Sequence, residues 1–111
     1  MLELTISSDT PEDIFKAILE RRKTIELRVF SKQVSEIRKG MRVRLRYRQK
    51  VCEVLVKEVA MFSDLDTALN RLDSKKIAPG YSVEQIREFF WKKHSAAKKN
   101  EKVVAIKFSR V

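Results

Sequence analysis

Polar and apolar residues alternate along several stretches of the chain, and this period of two is typical of β-strands. In residues 41–48, Val43, Leu45 and Tyr47 share one face and four arginines share the other. These arginines are Arg42, Arg44, Arg46 and Arg48. Residues 2–6, 24–29 and 103–108 alternate in the same way, whereas residues 51–62 carry apolar side chains on both faces. The pattern predicts five or six short strands, with residues 51–62 central in a sheet or barrel.

The apolar faces of these stretches are expected to meet in one barrel-like core, because side chains alternate between the two faces of a strand. The predicted core residues are Ile25, Leu27, Val43, Leu45, Val54, Val56, Ile106 and Phe108. On residues 24–29, the same assignment places Thr24, Glu26 and Arg28 on the polar face.

Three stretches have helical spacing instead, and the first begins at Thr10-Pro11. Thr10 is a suitable N-cap, and Pro11 suits the first helical position. This helix is expected to end near Arg21 or Arg22, where basic side chains complement the helix dipole without any ligand.

The other two predicted helices lie in the second half of the chain. Residues 65–72 form the second, and the third follows Ser82, which has a capping-box spacing to Gln85. Residues 75–81 are expected to form a loop, and Asn100 to end the third helix. Strands combined with three helices predict the α+β class.

Length and composition fit one folded domain over residues 1–111. The single cysteine, Cys52, excludes an intramolecular disulfide and a cysteine-based zinc site, and with only one histidine, His94, nothing supports a metal. No nucleotide-cofactor motif is present, so we expect no cofactor. His94 is expected to be a solvated helix residue. The chain has no apolar run of membrane-spanning length, and we expect a cytoplasmic protein.

The chain has a net charge of +10, and its basic residues are unevenly distributed. Residues 16–57 hold 14 Lys and Arg against 4 Asp and Glu, and residues 92–111 hold 7 against 1. Such segregation favours a basic surface that faces a polyanion, most often nucleic acid. A merely solubilising charged surface is the alternative.

The row of four arginines allows two interpretations. Like charges on one strand face repel one another unless an anion or an acidic neighbour such as Glu53 lies across them. Alternatively, the row guards a solvated edge strand with charge.

Residues 21–28, Arg-Arg-Lys-Thr-Ile-Glu-Leu-Arg, resemble the ASCH family, whose signature is similar to Gly-x-Lys-x-x-Glu-x-Arg. Lys23, Glu26 and Arg28 match this signature, but Arg21 stands in the place of the glycine. Met41 likewise replaces the acidic residue that usually follows the glycine of the next strand entry. Residues 77–80 and 103–108 are also similar to small stand-alone members, so the resemblance spans nearly the whole chain.

The resemblance implies a PUA-like β-barrel with flanking helices, a fold associated with RNA binding. We therefore expect a monomeric nucleic-acid-binding module that prefers RNA to DNA, with Lys23, Glu26 and Arg28 in a cleft. Basic side chains would supply affinity through phosphate contacts. These are Arg21, Arg22, Arg28, Arg42, Arg44, Arg46, Arg48, Lys92 and Lys93.

Some relatives are amidohydrolases acting on N4-acetylcytidine, and others are nucleases, so an enzyme is the rival hypothesis. In the amidohydrolases, the signature lysine acts with a threonine and a glutamate. Lys23 matches the lysine, but Glu26 stands in the threonine position, and Pro79 falls approximately where the glutamate is expected. If the protein is an enzyme, Lys23 and Glu26 are the candidate catalytic residues. A third hypothesis is an adaptor that binds an acidic protein partner.

Overall fold

The computed structural model describes residues 1–94 and 101–111, and in them five strands form one mixed sheet. The strands are β1 (Glu3–Ile6), β2 (Ile25–Val29), β3 (Arg42–Tyr47), β4 (Lys50–Phe62) and β5 (Val103–Arg110). Their order is β1-β3-β4-β5-β2, with β1 parallel to β3 and the other neighbouring pairs antiparallel. The sheet curls into a half-barrel, so β1 and β2 are its two edges.

Five helices accompany the sheet in the described residues. They are α1 (Glu12–Leu19), α2 (Lys32–Ser35), α3 (Leu65–Arg71), α4 (Ser74–Ile77) and α5 (Val83–Lys93). The α+β class, the five strands and the three longer helices confirm the predictions. The two four-residue helices were missed, because a single turn cannot repeat a helical spacing. Helix α4 occupies part of the predicted 75–81 loop. No helix in the described part of the chain combines the length and apolarity needed to cross a membrane.

The helix ends follow local chemistry. The hydroxyl of Ser82 accepts from the amide of Gln85 (3.2 Å), and the Gln85 side chain accepts from the amide of Ser82 (2.8 Å), so the predicted capping box is confirmed. The Thr10 cap was wrong, because Pro11 is the N-cap residue and no side chain caps α1. The carbonyl of Thr10 instead accepts a hydrogen bond from the Tyr47 hydroxyl (2.7 Å). The predicted end at Asn100 lies outside the described residues.

The buried apolar residues form two clusters, one inside the half-barrel and one between the sheet and α3, α4 and α5. The interior cluster contains Val43, Leu45, Val54, Val56, Ile106 and Phe108. Ile25 and Leu27 are buried as predicted but belong to the helix-side cluster, so the expectation of one core was wrong. The reason is the register of β2, which pairs Glu26 with Ile106 and Arg28 with Val104. Polar residues of β2 thus share the interior face with apolar residues of β5.

Strand β4 contains an irregularity in its pairing with β5, between Val56 and Glu58. Val56 pairs with Phe108, and Glu58 with Lys107, so Lys57 is an extra residue. A bulge of this kind bends the strand and re-aims its side chains. Beyond it, Val59 pairs with Ile106 and packs against the interior cluster. The bulge therefore reverses which residues of β4 face inward.

Candidate functional site

The chain enters β2 through a tight reversal at the end of α1. Arg21 has a left-handed backbone (φ 65°), and the amides of Arg21 and Arg22 donate to the carbonyls of Ile18 (3.0 Å) and Ala17 (2.8 Å). This pair of bonds is the Schellman motif of a helix C-terminus. Glycine adopts that conformation freely, whereas an arginine there costs about 1 kcal/mol. The backbone thus keeps the shape that the signature glycine would allow, and Lys23 follows in a buried position.

Lys23 is a buried cation with only 4% of its surface exposed. Its Nζ donates to the carbonyls of Ile25 (2.6 Å) and Ile77 (2.7 Å), and lies 3.2 Å from Oε1 of Glu26. An ammonium has three N–H donors and no acceptor, so these partners engage all three. Lys23 therefore ties β2 to α4 and has no donor left for a ligand.

Glu26 is the carboxylate on which three cations converge, and only 7% of its surface is exposed. Besides Lys23 on Oε1, its Oε2 lies 3.2 Å from Nη2 of Arg28 and 3.3 Å from Nζ of Lys93, in α5. Three positive charges thus face one negative charge. We call Lys23, Glu26, Arg28 and Lys93 the charged cluster, and it carries a surplus of two positive charges.

Burial and charge act against each other on the pKa values in the charged cluster. Burial raises the pKa of Glu26, but Lys93, Lys23 and Arg28 together hold it far below its usual value. Burial lowers the pKa of both lysines, and the Glu26 charge opposes that effect. Because the Nζ of Lys23 donates to two carbonyls as well as facing Glu26, we assign it as an ammonium. Counted by formal charge, the charged cluster therefore holds three cations against one carboxylate.

Arg28 also joins the two open edges of the half-barrel. Its Nη2 donates to the carbonyl of Thr5 (2.6 Å), which lies on β1, whereas Arg28 itself lies on β2. In α2, the side chain of Gln33 donates to the carbonyl of Glu3 (3.0 Å), two residues before Thr5. Side chains thus satisfy main-chain acceptors at the edge of β1 that have no neighbouring strand.

A cavity of about 70 Å³ opens onto the charged cluster. Its charged lining consists of Lys23, Glu26 and Lys93, and Thr10 is also part of the lining. The remaining walls are apolar, formed by Ile6, Ile14, Leu27, Ile77, Ala78, Ile86, Phe89 and Phe90. The site thus combines an apolar, partly aromatic wall with fixed charges, as small-molecule sites commonly do.

His94 lies beside the charged cluster rather than in solvent, so the expectation of a solvated residue was wrong. Its ring centroid is 4.6 Å from that of Phe90, and its Nε2 is buried without a hydrogen-bond partner in the described residues. Burial, with Lys93 and Arg28 next in effect, lowers the pKa of His94 to about 4. The imidazole is therefore neutral at physiological pH.

The structure gathers only some of the predicted site residues. Lys93 joins the charged cluster, whereas its neighbour Lys92 is exposed, because adjacent helix residues point about 100° apart. Arg21 donates to the carbonyl of Arg110 (2.6 Å), and Arg22 pairs with Glu20, both at the surface.

The arginines of β3 lie on the outer face of the half-barrel, away from the charged cluster. Arg42 pairs with Glu53 (2.9 Å) and Arg46 with Glu3 (2.9 Å), and Arg44 is exposed between them. Strand β3 lies inside the sheet, so the interpretation of a charged edge strand was wrong, while the expected acidic neighbour is present on both sides. The fourth arginine, Arg48, lies at the β3–β4 turn (φ 55°), its guanidinium 4.8 Å from the centre of the Tyr47 ring.

Sequence reasoning missed one polar residue of the cavity, Thr10, and the position of its neighbour His94. Thr10 was assigned to helix capping, and His94 to solvent. Neither position follows from a local pattern, because the lining comes from β1, α1, β2, α4, α5 and the segments beside them, and His94 lies next to the charged cluster rather than in the lining. Within the described residues, no group of three or more His, Cys, Asp or Glu is placed to hold a metal ion.

The half-barrel is the fold of ASCH-domain structures, and this confirms the fold that the sequence resemblance implied. A hypothetical protein named PH0355 has a TM-score of 0.71 and 23% identity, with 99% of this chain and 98% of that chain covered. A mutant ZmASCH protein from Zymomonas mobilis has a TM-score of 0.64 and 18% identity, covering 97% and 68%. The ASCH domain from Lactobacillus crispatus has a TM-score of 0.66 and 13% identity, covering 98% and 79%. No family model and no curated protein matches the sequence.

Proposed function

We propose that this protein binds single-stranded RNA and holds one nucleotide at the open cavity above the charged cluster. The cavity of about 70 Å³ is smaller than a nucleotide, so only part of that nucleotide enters it. The observation that carries the proposal is the excess of cations over carboxylates in the charged cluster, which reaches a largely apolar cavity through Lys23, Glu26 and Lys93. Uncompensated charge is costly to bury, so a negative ligand at this position stabilises the cluster. The resemblance to ASCH domains supports RNA as the source of that ligand.

The cavity offers complementary chemistry for the two ends of a nucleotide. Among the described residues, the Nζ of Lys93 donates a hydrogen bond to Glu26 alone, which leaves N–H groups that can donate to a phosphate. Among the described residues, Oε1 of Glu26 is paired with Lys23 alone, and it can accept a further bond from an amino group of a base. The rings of Phe89 and Phe90 provide the apolar wall against which an unstacked base packs.

The test compares two adjacent lysines on α5. Lys93→Gln should weaken binding of a single-stranded RNA by about 10-fold or more, the value of one charged hydrogen bond, whereas Lys92→Gln should change it less than about 3-fold. Fluorescence titrations from about 50 to about 200 mM salt measure both variants and the parent. Equal effects of the two substitutions, or no RNA binding by the parent at low salt, would defeat the proposal.

A hydrolase is the second candidate, because Thr10, Lys23 and Glu26 line the same cavity. The hydroxyl of Thr10 needs a base, yet all three Lys23 donors are engaged and an ammonium accepts no proton. We therefore expect no acetate release from N4-acetylcytidine and no RNA cleavage by the parent. Robust turnover that is lost in Lys23→Met would transfer the proposal to the hydrolase.

A further inference from the structure

A second groove, of about 290 Å³, lies beside the junction of β2 and α4. Its polar lining contains Thr24, Lys57, Arg71, Asp73, Lys76 and Lys107, over an apolar floor that includes Ile25 and Phe108. The cavity described above shares none of these residues. The two sites are therefore separate.

The fold gathers the four cations of the groove from distant parts of the sequence. Lys57 is the extra residue of the β4 bulge, and Lys107 pairs with Ile25 on one side and Glu58 on the other. Arg71 is the last residue of α3, and Lys76 lies in α4. A bulge that aims an additional lysine into a groove is a feature that often accompanies functional sites.

The charge of the groove is largely uncompensated. Four cations and one carboxylate line it, a surplus of three positive charges. Asp73 already accepts from the amide of Lys75 as the cap of α4 (3.0 Å), and Glu58, outside the lining, lies 3.5 Å from Lys107. Lys57, Arg71 and Lys76 form no ion pair within the described residues. Their mutual repulsion makes the groove attractive to a chain of phosphates.

The groove and the cavity meet where Lys23 and Thr24, just before β2, are hydrogen-bonded to Lys76 and Ile77 of α4. The amide of Thr24 donates to the carbonyl of Lys76 (2.9 Å), and the side chain of Lys23 donates to the carbonyl of Ile77 (2.7 Å). Thr24 and Lys76 line the groove, whereas Lys23 and Ile77 line the cavity. The two sites are thus the two sides of one hydrogen-bonded junction.

We propose that the groove binds the phosphate backbone of RNA, next to the nucleotide held in the cavity. This inference rests on the proposed function, because it gives the flanking nucleotides of that RNA their path. Phosphate contacts of this kind contribute affinity without reading sequence. The groove therefore extends the site from one nucleotide to a short single strand.

The test uses two triple variants with the same loss of charge. The groove variant is Lys57→Gln, Lys76→Gln and Lys107→Gln, and the control variant is Lys32→Gln, Lys39→Gln and Lys102→Gln, at exposed lysines outside both sites. For the parent and each variant, the affinity for a single-stranded RNA of about 12 nucleotides is measured across a salt series, and the affinities for the four nucleoside monophosphates are measured separately. Thermal melting checks that both variants are folded.

The groove variant should lose about 10-fold or more in affinity for the RNA. The slope of log affinity against log salt concentration should become shallower by about 2, because each of the three lost phosphate contacts contributes roughly 0.7. The control variant should lose less than about 3-fold, and both should bind a monophosphate as the parent does. Equal losses of RNA affinity in the two variants, or no RNA binding by the parent, would overturn the proposal that the groove binds RNA. If Lys93→Gln has no effect and no monophosphate binds while the groove variant still loses RNA, the groove stands and the cavity proposal fails.

Discussion

Replacing Glu26 by glutamine removes the one negative charge of the charged cluster while keeping the size of the side chain. Lys23, Arg28 and Lys93 then face one another without a carboxylate. The amide that replaces one carboxylate oxygen also presents N–H donors to cations that are donors themselves. We expect Glu26→Gln to be strongly destabilising.

The expected size follows from the burial of Glu26, of which 7% is exposed. Removing one partner from a buried ion pair costs about 3–5 kcal/mol, because the remaining charge has lost its solvent and its partner. For a domain of this length, 1 kcal/mol shifts the melting temperature by roughly 4 °C, so the variant should melt about 12–20 °C lower. Glu53→Gln is the matched control, because Glu53 pairs with an arginine at the surface and its loss costs at most about 1 kcal/mol.

The assay is chemical and thermal unfolding of the parent and both variants, repeated from neutral to acidic pH. The pKa of Glu26 is lower in the folded protein than in the unfolded chain, so its stabilisation is complete above the unfolded pKa of about 4.3 and declines as the pH falls below it. The stability difference between parent and Glu26→Gln should therefore shrink on acidification. A neutral-pH cost no larger than that of Glu53→Gln would refute the argument that the cluster is coupled through this carboxylate.

Two other predictions concern neighbours of Glu26. Arg28→Met should lower the free energy of unfolding by about 1–3 kcal/mol, less than Glu26→Gln, because two lysines still face Glu26. It should also speed amide hydrogen exchange in β1, because the carbonyl of Thr5 loses its bond to Arg28. Unchanged exchange in β1 would contradict the bridge between the two edges. His94 should titrate near pH 4 by NMR. Because the same imidazole takes up its proton near pH 6.5 in the unfolded chain, the free energy of unfolding should fall as the pH drops from about 6.5 towards 4, and His94→Gln should remove that loss. Titration of His94 near pH 6.5 would exclude the buried position.

The strands were predictable because alternation is a local property, but alternation does not say which face points inward. In β3 the apolar face of Val43 and Leu45 does point into the half-barrel. In β2 the apolar Ile25 and Leu27 face the helices, and Glu26 turns inward instead. Both faces of β2 are covered, so only the packing of the helices decides between them, and that packing is set by distant residues.

The charged cluster was partly predictable for a different reason. The spacing of Lys23, Glu26 and Arg28 carries the resemblance, and these residues are close in sequence. Lys93 comes from a helix end about 70 residues further on, and a local pattern gives no reason to prefer it to Lys92. The second groove does not follow from a local pattern, because its cations are far apart in the sequence and come together only through the β4 bulge, α3, α4 and β5.

The bonds from Arg28 and Gln33 to the main chain of β1 bear on how copies of this protein meet one another. An edge strand with free carbonyls is a template for a strand of another molecule, and natural sheets avoid this by occupying or blocking the edge. Here a guanidinium and an amide occupy the carbonyls of Thr5 and Glu3. Loss of the bond from Arg28 to Thr5 would uncover one of these positions, so resistance to self-association depends on the same arginine that faces Glu26 in the charged cluster.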